Sequence, residues 1–388
     1  MTSTAQQPTP RATSLRFEIG PALLDVAGGD EILARRLVRR MDPLRPLPFA
    51  DGAPDVVIER ARGATRPTFV DVQNPARDGT TTASDGAALY LLFGDEWCSI
   101  PAPWKRGSST VRCSEEFPTG MLIGQIVRPA MQLSMPKHRA CAIHASAVAF
   151  EDRGVAIAGW SESGKTETAL ALAEAGAAFV SDKWTPVAAD GRISPFPINV
   201  GIRRWVLPYL PRLRRSLPAV ARAQLGVAGA IGWLVRPLNP LAGRDGAAGL
   251  VSEAASRVTA LADRASVRPS ELRRIYGGAR RDGGPRLQVL VLLQTAPAND
   301  VVVDTAEPMF AARRVAETNA YERQDFFNLH ARARYALAIA EDPRRTSRTA
   351  EERLLVDLLA DVEILNVVAP FPTDPRRVAD AIMRHLVS

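Results

Sequence analysis

Cysteine is scarce in this chain of 388 residues, which contains only Cys98, Cys113 and Cys141. Three scattered cysteines argue against a disulfide framework or a zinc site and are typical of a reducing cytosol. No apolar run reaches the ~18 residues that a membrane span requires, and the first dozen residues lack the apolar core of a signal peptide. The sequence therefore predicts a cytoplasmic protein with no membrane partner.

Lysine is scarce as well, because nearly all of the positive charge is arginine. The segment 203–286 holds sixteen arginines and five acidic residues. Its net charge of +11 exceeds the net charge of +7 of the whole chain. The basic character therefore belongs to one segment. Each of the few lysines is a candidate for a specific role, and they are Lys105, Lys137, Lys165 and Lys183.

The length predicts two to three domains at ~150 residues each, and 46% hydrophobic with 23% charged residues excludes a largely disordered chain. Residues 1–13 are polar and predict a disordered tail. Short β-like runs and one amphipathic helix over residues 14–137 predict a small N-terminal α+β domain. Residues 138–388 predict an α/β domain, which segment 203–286 interrupts as a basic helical insertion.

The apolar runs change character from Cys141 onwards. CAIHASAVAF and GVAIAG are separated by a short turn, and they are followed by a glycine-rich loop, the Ala/Leu-rich helix TALALAEAGA and the apolar run AAFVSD. Strand, loop, helix and strand of these lengths form a βαβ unit. The sequence therefore predicts an α/β fold whose parallel-rich sheet is flanked by helices.

The loop between these elements, Gly159–Thr166, matches the pattern G-x-x-x-x-G-K-[ST]. Glycines let successive N–H groups converge on phosphate oxygens, and the following helix points its positive end at the same anion. A lysine at this position reaches the β- and γ-phosphates, and the next hydroxyl can bind Mg²⁺. The loop predicts a P-loop nucleotide-binding fold that takes ATP and Mg²⁺, and GTP or pyrophosphate fits the same loop as an alternative donor. The predicted nucleotide-binding residues are Gly159, Ser161, Ser163, Gly164, Lys165, Thr166 and Glu167.

The sequence GWSESGKTETALALAEAGAAFVSDKWTPV resembles the nucleotide loop and following strand of HPr kinase/phosphorylase. The strand pair IHASAVAF and GVAIAG is similar to the pair that precedes the loop in that family. The strong likeness covers residues 141–187, and the rest of the chain is similar in style to HPr-kinase-like proteins. The resemblance implies a P-loop kinase that assembles as a homo-oligomer.

Four positions carry over from the family pattern. Lys165 and Thr166 match its phosphate-binding lysine and its Mg²⁺-binding hydroxyl. Asp182 matches the first residue of an Asp-Asp pair that acts as the base toward the acceptor hydroxyl, and His144 matches the active-site histidine. The position of Asp182 in the sequence independently supports a role in the site. It ends a predicted strand beside the loop, where a carboxylate can orient a hydroxyl or hold Mg²⁺. A buried structural histidine remains the alternative for His144.

Three features depart from the family pattern. Glu162 replaces a glycine in the loop, where a positive φ would cost a glutamate conformational energy. Lys183 replaces the second aspartate of the pair, and SPFPINVGIRRW stands where authentic HPr kinases carry an acidic signature. These departures leave catalysis and the HPr acceptor open.

Three hypotheses follow. The first is an ATP- and Mg²⁺-dependent kinase that phosphorylates a serine-type hydroxyl on a protein, peptide or small molecule, with Asp182 as base. The second is a nucleotide-binding regulatory module without turnover. The third is binding of nucleic acid or an acidic partner through 203–286, although few aromatic residues there could stack on bases, which argues against nucleic acid. Arg203 and Arg204 are candidate phosphate or peptide contacts in that segment.

Overall fold

The computed structural model divides into two compact units, each assembled from three stretches of the chain. The first unit comprises Met1–His144, Pro186–Pro197 and Glu307–Asp361, and the second comprises Ala145–Thr185, Ile198–Ala306 and Val362–Ser388. The structure describes residues 15–217, 219, 221–223, 225 and 264–387. Within these ranges there are gaps at 28–30, 48–51, 62, 64, 74–75, 77–78, 106, 279–282 and 338–340. The predicted tail 1–13 lies outside the described residues.

The two units do not coincide with the domains predicted from the sequence, which divide the chain at residue 137. The first change of unit comes after His144, close to the predicted boundary. The stretch Glu307–Asp361 then returns to the first unit, although the sequence analysis assigns it to the α/β domain. Helical periodicity identifies helices in this stretch but carries no information on which sheet they cover.

The first unit contains an eight-stranded sheet of short strands. Its mixed pairing includes two parallel pairs, Ala22–Ala27 with Val56–Arg60 and Val56–Arg60 with Ser109–Cys113. In spatial order the strands are Leu15–Ile19, Ala22–Ala27, Val56–Arg60, Ser109–Cys113, Glu96–Ser99, Leu89–Phe93, Thr80–Ser84 and Asp71–Val72. The region thus combines strands with helices, and all three cysteines are buried thiols.

Helices from two separate parts of the sequence complete the first unit. An amphipathic helix covers Glu31–Arg40, and a continuous helical stretch runs from Thr119 to His138 with a π-helical section at Leu122–Val127. The first of these is the amphipathic helix that the sequence predicts in this region. The late helices of this unit are Pro308–Glu322, Gln324–Leu337 and Pro343–Leu358, and the short strand Cys141–Ile143 lies against the first and third of them.

His330 makes the stability of the first unit depend on pH. Its ring lies 4.5 Å from that of Trp104 and 4.8 Å from that of Phe326, measured between centroids. This burial lowers the pKa of His330 to about 4. The unfolded chain takes up a proton below its own pKa of about 6.5 while the folded chain stays neutral, so stability is lost as pH falls from about 6.5 to about 4.

We expect the free energy of unfolding to fall by about 2 kcal/mol between about pH 7.5 and about pH 5 because of this one group. In a His330→Leu variant that part of the loss should vanish, as measured by urea unfolding at the two pH values. Equal losses in the variant and the wild type would show that His330 is not the responsible group.

The second unit is built on a six-stranded sheet. Its spatial order is Ala178–Ser181, Ala145–Phe150, Arg153–Gly159, Arg286–Thr295, Glu363–Ala369 and Val302–Thr305. Arg153–Gly159, here the loop strand, pairs in parallel with Arg286–Thr295, which pairs in parallel with Glu363–Ala369. The other pairings in this sheet are antiparallel. The structure therefore confirms a mixed α/β fold with parallel strands, but antiparallel pairs outnumber parallel ones in this sheet.

The predicted βαβ unit is present with one strand inserted. The loop strand and Ala178–Ser181 run in the same direction, but Ala145–Phe150 lies between them and is antiparallel to both. This arrangement follows from the tight turn at Glu151 and Asp152, which folds Ala145–Phe150 back as a hairpin onto the loop strand. The carboxyl ends of the loop strand and of Ala178–Ser181 consequently point to the same edge of the sheet.

Helices pack on this sheet around an apolar core. Within the described residues, the helices of the second unit are Lys165–Glu174, here the loop helix, with Arg204–Tyr209, Pro211–Ser216, Pro269–Tyr276 and Pro375–Val387. Leu213, Leu272 and Tyr276 belong to this core, so the ends of the basic segment are integral to the unit. Residues 226–263 lie outside the described residues, and binding of a partner through that segment stays a prediction. Across the described residues, no helix combines the length and the apolar character that crossing a membrane requires.

Candidate nucleotide and phosphotransfer site

Both glycines of the loop are required by the geometry around them. A Cβ at Gly159 would lie 2.4 Å from the Leu293 carbonyl oxygen of the neighbouring strand and 2.7 Å from the Ser163 hydroxyl. Gly164 precedes the loop helix with a φ of +92°, which disfavours any L side chain. The first glycine therefore allows close approach, and the second supplies the left-handed backbone that turns the chain into the helix.

Glu162 also has a left-handed backbone, with a φ of +62°. A non-glycine residue there costs about 1–2 kcal/mol relative to an ordinary conformation. The positive φ on which the expected conformational cost depends is therefore present. The Glu162 side chain is 74% exposed, and its Oε1 accepts a 2.5 Å hydrogen bond from Nη2 of Arg203.

Lys165 and Ser163 occupy the inside of the loop. Lys165 is 7% exposed, and its Nζ donates to the carbonyl oxygens of Gly159 at 3.0 Å and Trp160 at 2.6 Å. Ser163 is 9% exposed, and its Oγ is buried with no hydrogen-bond partner in the described part of the chain. A buried hydroxyl without a partner costs about 1–3 kcal/mol, so Ser163 marks a place where a polar ligand atom would be stabilised. Ser161 is exposed.

Asp182 lies at the centre of a hydroxyl cluster. Its Oδ1 accepts one hydrogen bond of 2.5 Å from the Ser146 hydroxyl and one of 2.8 Å from the Thr166 hydroxyl. Thr166 is in the first turn of the loop helix, and Asp182 follows the strand Ala178–Ser181, so the two predicted Mg²⁺ ligands meet directly. Asp182 is 6% exposed, and two charge-assisted bonds hold its carboxylate in place.

A tight turn sets the orientation of Asp182. The Trp184 N–H donates to the Asp182 carbonyl at 2.7 Å, and the Ser181 hydroxyl donates to the Trp184 carbonyl at 2.6 Å. Lys183, between them, has a φ of +63° and an exposed side chain. Strained residues of this kind cluster at active sites and ligand clamps. Glu162 and Lys183, the two departures from the family pattern, are thus both in left-handed conformations on segments that border the cluster.

The charge around the loop helix is mixed. Glu167, in its first turn, is half-buried, and burial raises the pKa of its carboxyl, as does the nearby charge of Asp182. Arg203 and Arg264 act in the opposite direction and lower that pKa. Two arginines from the strand pair Val200–Arg203 and Arg264–Val267 therefore bring positive charge to the start of this helix.

His144 belongs to the first unit, whereas the loop and Asp182 belong to the second. The backbone N–H of His144 donates to Asn319 Oδ1 at 2.8 Å, and the ring Nε2 of His144 lies 3.7 Å from Glu322 Oε1. The side chain is 4% exposed. These contacts provide a structural environment for His144, and its catalytic role stays a prediction.

Two residues of the site and one contact lie beyond what the sequence predicts. Ser146 stands in the apolar run CAIHASAVAF, where a buried hydroxyl requires a partner, and that requirement is the signal for its bond to Asp182. The pairing of Glu162 with Arg203 joins residues 41 positions apart, and no local pattern encodes it. Arg264 reaches the same region only through its strand pairing with Arg203. Arg204, predicted beside Arg203, begins an exposed helical turn.

No protein-family model and no curated protein matches this chain. Its function has to be inferred from the residues of the site.

Proposed function

We propose that the chain is an ATP- and Mg²⁺-dependent phosphotransferase of the HPr-kinase-like type, acting on a serine-type hydroxyl of a protein, peptide or small molecule. The observation that carries the proposal is the 2.8 Å bond between Thr166 and Asp182. It joins a hydroxyl of the first turn after a G-x-x-x-x-G-K-[ST] loop to a carboxylate at the end of a strand of the same sheet. Phosphoryl-transfer sites use this pairing of groups.

The residues fit a bound polyphosphate. Close approach at Gly159 leaves no room for a side chain, the buried Ser163 hydroxyl has no partner within the described residues, and Lys165 supplies a buried cation. Thr166 and Asp182 would hold Mg²⁺, which protein sites bind through one or two protein groups together with phosphate oxygens. ATP with Mg²⁺ supplies an activated phosphoryl group whose charge the metal partly neutralises.

The protein groups divide the remaining work. Asp182 would accept the proton of the acceptor hydroxyl, and its bonds from Ser146 and Thr166 hold it in one orientation for this task. Lys165 would neutralise phosphate charge from a buried position. Assembly into a homo-oligomer and a cytoplasmic location are further parts of the proposal, and they rest on the sequence resemblance and on cysteine usage.

Lys165→Met tests the nucleotide site. We expect ATP affinity to fall about 100-fold, because charge-assisted hydrogen bonds to phosphate are lost while the aliphatic stem is kept. Isothermal calorimetry with ATP and Mg²⁺ measures this change, and Lys105→Ala, an exposed lysine of the first unit, is the matched control. Failure of the wild type to bind ATP, or equal affinity in both proteins, would exclude the proposal.

A nucleotide-binding regulatory module without turnover is the second candidate. The observation that favours it is the Glu162 carboxylate in the loop, beside the place where phosphate charge would lie. Tight ATP binding with no phosphoryl transfer or hydrolysis, even with hydroxyl-bearing peptides supplied, is the result that this function predicts.

A further inference from the structure

Two arginines face each other across the strand pair Val200–Arg203 and Arg264–Val267. Arg203 and Arg264 are direct partners in the antiparallel register. A Cβ at Gly201 would lie 2.3 Å from Arg264 Nε, so the glycine leaves room for that side chain to lie across the strand. Like charges in directly opposed positions destabilise a strand pair. An anion between or beside the two guanidinium groups removes this penalty.

Glu162 is the anion that the structure provides for Arg203. The pair is exposed, with the Arg203 side chain at 36% and the Glu162 side chain at 74%, and such pairs contribute little to the free energy of folding. The left-handed backbone of Glu162 costs about as much or more. The ion pair therefore does not explain, through stability, why a glutamate stands at this position of the loop.

A second and independent observation indicates a polar ligand at the same loop. The Ser163 hydroxyl, next in the chain to Glu162, is nine-tenths buried inside the loop with no hydrogen-bond partner in the described part of the chain. The positive charge of Arg203 and Arg264 also reaches the carboxyl of Glu167 in the first turn of the loop helix. Donors and cations from separate segments thus border the same loop and the first turn of its helix.

We propose that Arg203 is a phosphate-binding residue of this site, and that Glu162 is the resident carboxylate that a ligand phosphate displaces from it. This inference rests on the proposed function, because it requires a polyphosphate in the loop. The exchange is energetically accessible, since an exposed carboxylate is a weaker partner for a guanidinium than a phosphate group with several charged oxygens. Glu162 consequently opposes ligand binding twice, by occupying Arg203 and by repelling the anion.

The proposal fixes the sign of three effects on affinity. Arg203→Ala removes a phosphate contact and weakens binding. Glu162→Gln removes both the competitor and the repulsion, and strengthens binding. The loss caused by Arg203→Ala is greater when Glu162 is already replaced, because Arg203 then need not be released from a partner. A structural role for the ion pair predicts none of these signs.

Calorimetric titration with inorganic tripolyphosphate, without metal and at constant ionic strength, tests the proposal in the full chain. For Arg203→Ala we expect an affinity loss of about tenfold, or about 1.4 kcal/mol. For Glu162→Gln we expect a gain of about threefold, and in that background Arg203→Ala should lose about twentyfold, because only the competition part of the effect of Glu162 depends on Arg203. Arg214→Ala removes an equal charge from the exposed face of the helix Pro211–Ser216 and serves as the control.

Failure of the proposed role of Arg203 and failure of the proposed function give different results. Arg203→Ala binding as tightly as Arg214→Ala would overturn the role of Arg203, while the phosphate site would stand if Lys165→Met still lost affinity. Equal losses from Arg203→Ala in both backgrounds would overturn displacement of Glu162. Absence of tripolyphosphate binding by the wild type, together with absence of ATP binding, would overturn the proposed function itself.

Discussion

Replacing Asp182 by asparagine is expected to lower the rate of phosphoryl transfer about a thousandfold, within the range of 10²–10⁴ that a positioned general base supplies. Asparagine keeps an oxygen at Oδ1, so Ser146 and Thr166 retain their acceptor and the local geometry survives. What disappears is the negative charge and the ability to take a proton. The affinity for ATP without metal should therefore stay within about threefold of the wild type.

Transfer is measured from radiolabelled ATP to a mixture of serine-containing peptides, and hydrolysis is followed in parallel. Asp304→Asn, an exposed aspartate on the strand Val302–Thr305 of the same unit, is the control and should leave both rates unchanged. A rate for Asp182→Asn equal to that of this control would remove Asp182 from the catalytic assignment. A wild type that binds ATP and never turns it over would favour the regulatory module.

The second large effect is expected in the core of the first unit. Arg323 Nη1 and Nη2 donate to the two oxygens of Glu351 at 2.6 and 2.5 Å, and both side chains are at most 2% exposed. Glu351→Gln leaves the guanidinium buried without its counter-charge. Breaking a buried pair from one side costs about 3–5 kcal/mol, so we expect the free energy of unfolding to fall by about 4 kcal/mol.

Urea unfolding measures this effect, and two further variants define its origin. Arg348→Ala breaks an exposed pair with Glu317 and should cost no more than about 1 kcal/mol. The double replacement Arg323→Met with Glu351→Met removes both charges and should recover to within about 2 kcal/mol of the wild type. A loss below about 1 kcal/mol in Glu351→Gln would contradict the assignment of an uncompensated charge.

The same network explains where His144 lies. Asn319 donates to the Ala142 carbonyl at 3.0 Å and to Glu351 Oε2 at 3.2 Å, and it accepts from the His144 N–H. The strand Cys141–Ile143 is thereby joined to the helix Pro308–Glu322. This connection has little local signal in the sequence, because the partners lie about 175 residues apart in the chain.

The elements around the loop could be predicted because each is encoded locally. The apolar run at 153–159, the glycine pair at 159 and 164, and the Ala/Leu-rich helix each follow from residues within one or two turns. The order of strands could not be predicted in the same way. Hydrophobic periodicity is identical for parallel and antiparallel neighbours, so the hairpin strand Ala145–Phe150 between two parallel strands carries no distinguishing pattern.

The site shows the same division between local and distant information. Lys165 and Thr166 are set by a motif, and Asp182 by its place at a strand end, so the sequence identifies all three as candidates. Ser146 and the Glu162–Arg203 pair depend on contacts across 36 and 41 residues. Two signals in the sequence point to these contacts in advance. A buried hydroxyl requires a hydrogen-bond partner, and a glutamate at a position that favours glycine indicates a functional constraint.

The interleaving of the two units has a consequence for synthesis. Asn319 and Glu351 are translated long after the strand Cys141–Ile143 that they secure. At about 5–20 residues per second, the ribosome needs roughly 10 to 40 s to pass from residue 144 to residue 361. During that interval the nascent first unit lacks its late helices, and the second unit still awaits its strand Glu363–Ala369. Both units are therefore closed only after residue 369 has been translated, and the growing chain keeps unfinished apolar surface within reach of chaperones until then.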